Sequence, residues 1–482
     1  MEELREWRPS MPRTLFEKVW DDHVVESLGE NLFVIHVDRH FLHELSGAVS
    51  LLGLDRAGRK VRNRELTFAT LDHLIETIPN RGMTTRIPGG DDFLRELSAR
   101  TRAHDIRFFD LKDRRQGIVH VVAPELGIAL PGMTFICGDS HTCTVGAVGA
   151  FAFGVGSSDS EHALATQVVI VSKPKTLRVN LTGELQRGVS AKDVALALIS
   201  RFGSDGGAGF AIEFAGPVID NMPMSGRFTL CNMAAEFGGR TALIAPDETT
   251  YAFLHSGEFA PKGDAWDVAL AYWRTLPSDA GAAYDRELTL DCAALEPQVT
   301  WGTSPAQSGG IGQPVPAEPL REGEQSRASH SRALAYTAVK PEKAVIGAPI
   351  DGAFIGSCTN SRLDDLRAAA EILAGRKIAT GVIAICSPGS TSVKRAAEAE
   401  GIDRIFIEAG FEWRESGCSF CASGGSGGES FPAGSRVIAS TNRNFEDRMG
   451  PGVRIHLASP LTVAASAVAG QITDPRLLEQ QP

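Results

Sequence analysis

Gly356-Ser357-Cys358-Thr359-Asn360-Ser361 is the stretch around which this chain is organised. It follows the apolar, β-prone run Ala353-Phe354-Ile355. It precedes Leu363-Asp364-Asp365-Leu366-Arg367-Ala368-Ala369-Ala370-Glu371-Ile372-Leu373, whose apolar residues recur at helical spacing. Cys358 is therefore expected where a strand hands over to a helix, with Asn360 or Ser361 as the helix cap. The N–H groups of a first helical turn favour a thiolate placed just ahead of them.

Farther on, Gly417-Cys418-Ser419-Phe420-Cys421 supplies a C-x-x-C pair in a glycine- and serine-rich turn. Taken alone, that pair reads as half of a zinc knuckle, a redox pair or chance, and Cys358 alone reads equally as a small buried hydrophobe. A four-thiolate zinc or electron-transfer site needs a further ligand, and no second C-x-x-C provides it. Three thiolates on a cubane cluster would leave one iron open to water or substrate.

A chain of 482 residues exceeds one ordinary core, and about 150 residues per domain suggests roughly three units. With 43% hydrophobic and 22% charged residues, the composition is that of a globular enzyme. The net charge of −11 argues against nucleic acid as the main partner. Acidic small molecules would need local arginines. No run has the length of a membrane span, and Met1-Glu2-Glu3-Leu4-Arg5-Glu6-Trp7-Arg8 lacks the apolar core of a signal peptide, so a cytoplasmic protein is expected. Met11 is a second plausible start. Eight cysteines in such a chain do not make a disulfide framework.

In chain order, Thr14 to Trp20 reads as a short amphipathic helix and Leu32-Phe33-Val34-Ile35 as a strand. His36, His40 and His43 fall at spacings that invite a metal reading, but Asp38-Arg39 between them fits a charged, hydrogen-bonded turn better. Leu66 to Thr70 is a strand with Leu71-Asp72-His73 at its carboxyl end. Ile118-Val119-His120-Val121-Val122 reads as another strand, and Phe135-Ile136-Cys137 as a third, delivering Gly138-Asp139-Ser140-His141-Thr142. Ligands collect at the carboxyl ends of strands in open α/β sheets. A histidine beside a carboxylate is also the usual means of tuning an acid or base near neutral pH.

Gly146 to Gly156 is glycine-rich without a phosphate-binding signature, and Ser157 to Thr166 reads as a helix packed closely after it. Leu177 to Leu181 opens a second unit, with Ala191 to Ser200 as its helix. Ala211-Ile212-Glu213-Phe214 and Leu230-Cys231-Asn232-Met233-Ala234-Ala235-Glu236 follow. The polar, proline-bearing stretch from Trp301 to Lys343 reads as a linker. Beyond it, strands ending near Ile355, Ile385, Ile407, Ile438 and Leu457 alternate with helical stretches, which specifies a parallel sheet with helical covers. Thr441-Asn442-Arg443-Asn444-Phe445, with Arg448 behind, offers guanidinium groups suited to carboxylates.

On these pieces the chain resembles the aconitase superfamily, and within it most closely the large-subunit branch of the 3-isopropylmalate dehydratases. The matching motifs are Phe68-Ala69-Thr70-Leu71-Asp72-His73, Gln116-Gly117-Ile118-Val119-His120, Cys137 to Thr142, Val299-Thr300-Trp301-Gly302-Thr303, Phe354 to Ser361 and Thr441 to Phe445, in consistent order along nearly the whole chain. The resemblance implies three α/β/α subdomains with mostly parallel sheets around one 4Fe-4S cluster held by Cys358, Cys418 and Cys421. It pairs His73 with Asp72, His120 with Asp139, and His141 with Glu213, and makes His73 the proton donor to a leaving hydroxyl. Ser140, Asn442, Arg443 and Arg448 match positions that bind a malate-type diacid.

The expected division is an extension over 1–13, subdomains over 14–172, 173–300 and 344–482, and a linker over 301–343. The C-terminal swivel domain of long-chain aconitases finds no counterpart, so the resemblance implies a separate small subunit that carries it. The activity implied is isomerisation of 2-isopropylmalate to 3-isopropylmalate through an unsaturated diacid, in leucine biosynthesis. The alternatives are a paralogue acting on another substituted malate, an RNA-binding regulator and a zinc-structured scaffold. Two departures from the relatives stand out: Val49 where a substrate-facing glutamine is expected, and Ala422 to Glu429 after the C-x-x-C.

Overall fold

Short runs of β-branched and aromatic residues, each followed by a helical or glycine-rich return, build three all-parallel sheets in the computed structural model. It describes residues 11–321, 323–421 and 429–478. The first sheet has the order Arg107–Phe109, Thr67–Thr70, Arg39–Leu42, Thr134–Cys137, Phe151–Gly154. The second runs Thr241–Ile244, Phe210–Ala215, Lys175–Thr182, Arg286–Asp291. The third runs Glu412–Trp413, Ile383–Cys386, Gly352–Ile355, Arg436–Ala439, Arg454–Leu457. Thr67–Thr70, Thr134–Cys137 and Gly352–Ile355 are buried along their whole length, as strands covered on both faces must be. An antiparallel sheet of Val24–Gly29, Leu32–His36 and Val168–Ser172 flanks the first.

One apolar core joins the first and second sheets through Phe16, Phe41, Phe135, Leu177, Ile212 and Phe228. A second core covers one face of the third sheet through Ala353, Ile355 and Ile438, while Phe354, Val437 and Leu457 on its other face join the first core. The stretch read as a strand at Ile118 to Val122 is instead a buried helix, Val119–Glu125. It lies between these cores: Val119 and Val122 belong to one, Ile118 and Val121 to the other. A helix apolar on every side loses its period, and a short β-branched run then mimics a strand.

Other expectations are corrected as well. Ile407 lies in the helix Ile402–Ala409, and the adjoining strand is Glu412–Trp413. The presumed linker holds the strand Ser308–Gly310 and the helix Glu324–Thr337, which buries His330, Ala333 and Thr337. Arg362, rather than Asn360 or Ser361, caps the helix Leu363–Leu373, with its N–H donating to Asp365 Oδ2 at 3.0 Å. Asn360 supports the same turn from its side chain, donating to Asp365 Oδ1 at 2.9 Å.

Parallel pairing sends the carboxyl ends of five strands to one region. Arg39–Leu42 delivers His43 and Glu44, Thr67–Thr70 delivers Asp72 and His73, and Thr134–Cys137 delivers Asp139 to His141. Gly352–Ile355 delivers Cys358 and Arg436–Ala439 delivers Asn442 and Arg443.

Candidate active site

His73 sits between two carboxylates, with Nδ1 2.6 Å from Asp72 Oδ1 and Nε2 2.9 Å from Asp139 Oδ2. Burial alone would depress its pKa, but the two carboxylates outweigh it and raise His73 well above 6.5. The ring is therefore an imidazolium at neutral pH that holds a proton on each nitrogen. Its backbone is fixed by Glu44, fully buried, whose carboxylate accepts the N–H groups of Asp72 at 3.1 Å, His73 at 2.7 Å and Leu74. Burial and the nearby Asp72 charge raise the Glu44 pKa.

Asp139 is the hub of the first sheet's contribution. It accepts the His141 N–H at 2.7 Å, and its Oδ1 lies 3.3 Å from His141 Nδ1 and 3.6 Å from His120 Nε2. Burial works against its charge, yet His120, His141 and His73 together hold its pKa well below the usual carboxylate range. The His120 contact is ion-pair proximity without hydrogen-bond geometry: neither ring nitrogen has a hydrogen-bond partner among the described residues. A Cβ at Gly138 would collide with the Ser46 side chain, which is why the residue leading into Asp139 is glycine.

The expected partner of His141 is corrected by the geometry. Glu213 sits in the strand Phe210–Ala215 and accepts from Ser278 Oγ at 2.9 and 2.8 Å, away from His141. Glu236 takes its place, with Oε1 2.8 Å from His141 Nε2. Burial lowers the His141 pKa, but Glu236 and Asp139 raise it to about 9. Glu236 also accepts Arg443 Nε at 2.8 Å, and Arg443 Nη2 donates to Ser140 Oγ at 3.1 Å. Ser140, His141 and Arg443 are thus brought together across two sheets. Arg448 Nη2 donates to Asn442 Oδ1 at 3.1 Å, so Arg448 supports Asn442.

Cys358 and Cys418 are both buried, and each adjoins a non-glycine residue in the left-handed region, Ser357 at φ 73° and Ser419 at φ 49°. Backbone strain of this kind concentrates at functional sites. Two buried amides, Asn232 Nδ2 at 3.2 Å and Asn442 Nδ2 at 3.4 Å, donate to Cys358 Sγ. A neutral thiol is a weak acceptor, whereas a metal-bound thiolate sulfur rewards such donors, so the surroundings fit an iron–sulfur cluster. Cys418 N–H donates to the Asp72 carbonyl at 2.8 Å, which ties the C-x-x-C turn to the His73 loop. Cys421 closes the short turn Ser419–Cys421, but its side chain lies outside the described residues, as do Ala422 to Gly428. Glu429 is buried and accepts from Thr77 N at 2.9 Å and Ser419 Oγ at 2.7 Å.

The histidine trio of the N-terminal stretch diverges. His36 pairs with Asp38 at 3.4 Å, and His40 Nε2 lies 3.0 Å from Ser160 Oγ. His43 stacks on His73 with ring centroids 4.5 Å apart. Burial and the His73 charge lower the His43 pKa to about 4, so a neutral ring lies against the imidazolium. Val49 is on the outer face of the helix Glu44–Arg56 and is 45% exposed; His43 is the residue packed on the His73–Asp72 pair. Sequence reasoning passed over Asn232, near the end of the helix Met224–Met233, and Glu236, in the turn that follows it.

The family model described as "Aconitase family (aconitate hydratase)" matches residues 17–470. The 3-isopropylmalate dehydratase large subunit 1 of Bradyrhizobium diazoefficiens is 50% identical over 473 residues, covering 97% of this chain and 97% of the relative. The 3-isopropylmalate dehydratase large subunit of Roseiflexus castenholzii is 48% identical over 471 residues, covering 97% and 99%. With strand ends of two parallel sheets converging on cysteines, histidines and carboxylates, and with these matches along almost its full length, the chain belongs to the aconitase family.

Proposed function

We propose that this chain is the large subunit of a hydro-lyase that converts 2-isopropylmalate to 3-isopropylmalate by removing water and adding it back at the neighbouring carbon. The observation that carries the reading is His73, a charged imidazole clasped by Asp72 and Asp139 and joined through the Asp72 carbonyl to Cys418. The names of the two relatives agree with it. Cys358, Cys418 and Cys421 are the residues that would hold a 4Fe-4S cluster. When bound, such a cluster supplies a Lewis-acidic iron beside the substrate.

His73 then acts as the general acid. Its proton is stored by two carboxylates, and a substrate hydroxyl taking the place of Asp139 at Nε2 would weaken that grip and bring the acid toward its working range. Asp72 keeps Nδ1 protonated and the ring oriented. Arg443, already anchored by Glu236 and Ser140, meets a substrate carboxylate with its remaining donors. His141, charged between Asp139 and Glu236, steadies the negative charge gathered there. The base and the second wall of the site are assigned to a small subunit carrying the swivel domain.

The test is anaerobic assembly of the cluster-loaded chain with that subunit, followed by incubation with 2-isopropylmalate. The expected products are the ultraviolet-absorbing unsaturated diacid and 3-isopropylmalate, with citrate left unchanged. His73→Ala should lower turnover by about 10² to 10⁴ with iron and sulfide content intact. A pair that prefers citrate, or a His73→Ala variant of near-normal rate, would refute the reading.

A further inference from the structure

We infer that Arg240 is a carboxylate-binding residue of this site, taking the second carboxylate of a dicarboxylate substrate. The inference rests on the hydro-lyase reading and adds to it a residue that neither the sequence motifs nor the His73 constellation brings in.

A cavity of about 370 Å³ opens beside the His73 constellation, lined by Asp139, Ser140, Gly154, Gly238, Arg240 and Arg443 among others. That volume is in the range of small-molecule sites. Its two cations are not equivalent. Arg443 already spends Nε on Glu236 and Nη2 on Ser140. The Arg240 guanidinium makes no hydrogen bond or ion pair with any described residue. It lies 5.3 Å from the centroid of the Phe153 ring, and Asp159 is the carboxylate acting on it from a distance. A guanidinium resting on an aromatic ring keeps its in-plane N–H fork available for a carboxylate.

Local charge leads to the same residue. His73, His141 and Arg443 stand against Asp72, Asp139 and Glu236, three cations to three anions in direct contact. A dianionic ligand gains little from a neutral cluster within a chain of net charge −11, so its second carboxylate needs a cation not already engaged.

The backbone also holds Arg240 to the site. Its N–H donates to the Phe210 carbonyl at 2.9 Å, and Gly238 turns the chain at φ +88°. The same turn thus carries Glu236, the partner of His141, and four residues later Arg240. Gly154 leaves the facing wall bare, because a Cβ there would stand 2.6 Å from the Asp139 carbonyl oxygen.

The experiment compares wild type, Arg240→Gln and Arg240→Lys, each cluster-loaded and paired with the small subunit. The readouts are calorimetric affinity for succinate, a dicarboxylate with no hydroxyl to lose, KM and kcat for 2-isopropylmalate, iron content, and affinity for the small subunit. Arg240→Gln should weaken succinate binding and raise KM by about 10-fold or more, as loss of a charge-assisted hydrogen bond does, with kcat within about threefold and iron unchanged. Arg240→Lys should recover part of the loss, since lysine restores the charge without the fork. Unchanged succinate affinity and KM in Arg240→Gln would overturn the assignment. So would a wild-type pair that binds no succinate, or a loss confined to small-subunit affinity, which would make Arg240 a subunit contact. A wild type that binds succinate but turns over no alkylmalate would sink the hydro-lyase reading, while the succinate comparison would still decide the role of Arg240.

Discussion

Protonated His141 stabilises the fold by bridging Asp139 and Glu236, and the sign of its pH dependence follows from its raised pKa. The folded value of about 9 lies above the ordinary 6.5, so the contribution is full below pH 6.5 and is lost as pH rises through 9. That span corresponds to about 3 kcal/mol. In Glu236→Gln the largest cause of the rise is gone, and the decline in denaturant midpoint between pH 6.5 and 9 should flatten. An unaltered decline would place the titration elsewhere. The residue scale is also where the sequence was least legible. Asp72, His73, Asp139, Ser140 and His141 stand in recognisable strand-end motifs, and the structure groups them. Glu236 does not: it follows a helix of ordinary composition, and the family resemblance pointed instead to Glu213, inside a strand. Which acid meets His141 depends on how the second sheet docks on the first, and no local pattern encodes that.

At the scale of elements, the segment from Asp72 to Thr77 is clamped from both sides. Glu44 takes three of its backbone N–H groups, while Glu429 accepts from Thr77 N and Oγ1 and from Ser419, and pairs with Arg414 at 2.9 Å. Glu415 N–H to the Thr77 carbonyl at 2.7 Å and Cys418 N–H to the Asp72 carbonyl complete the seam. The loop of His73 and the cysteine turn are thus one mechanical unit. Glu429→Gln removes a buried charge that faces Arg414 and should cost about 1 to 3 kcal/mol. Amide hydrogen exchange should quicken in both 72–77 and 415–421, and a chelator should strip iron faster. Exchange that quickens in only one of the two segments would contradict the coupling. The strand Thr67–Thr70 ahead of this seam was readable from its apolar run, whereas Glu412–Trp413, two residues long, was not. The helix Val119–Glu125 was not, because burial between two cores erases the polar face by which a helix is recognised. The helix Glu324–Thr337 was hidden for the opposite reason, since only His330, Ala333 and Thr337 of its fourteen residues are buried.

For the whole molecule, five strand ends from two of the three sheets meet at one centre, and the second sheet's unit contributes Asn232, Glu236 and Lys192 to it by hydrogen bonds to Cys358, Arg443 and Ser440. Lys192, fully buried, donates to the carbonyls of Ser440 and Thr441 and so supports the turn that carries Asn442 and Arg443; burial lowers its pKa to about 7. The parallel sheet beyond Lys343 was foreseeable from the alternation of strands and helices, whereas three units gathered around one centre came from the family resemblance, because that convergence is set by packing between segments more than a hundred residues apart. The cavity beside Asp139 and Arg443 opens outward, and its closure is the part proposed for a small subunit. Shielding from water and grip on both carboxylates are needed for dehydration, so half of the site cannot do the work of the whole. The most direct measurement is the anaerobic rate of unsaturated diacid formation from 2-isopropylmalate by the cluster-loaded chain, first alone and then with the small subunit added. The expected result is no measurable rate from the chain alone and turnover once the pair forms; full activity from the isolated chain would rule out a site shared between two subunits.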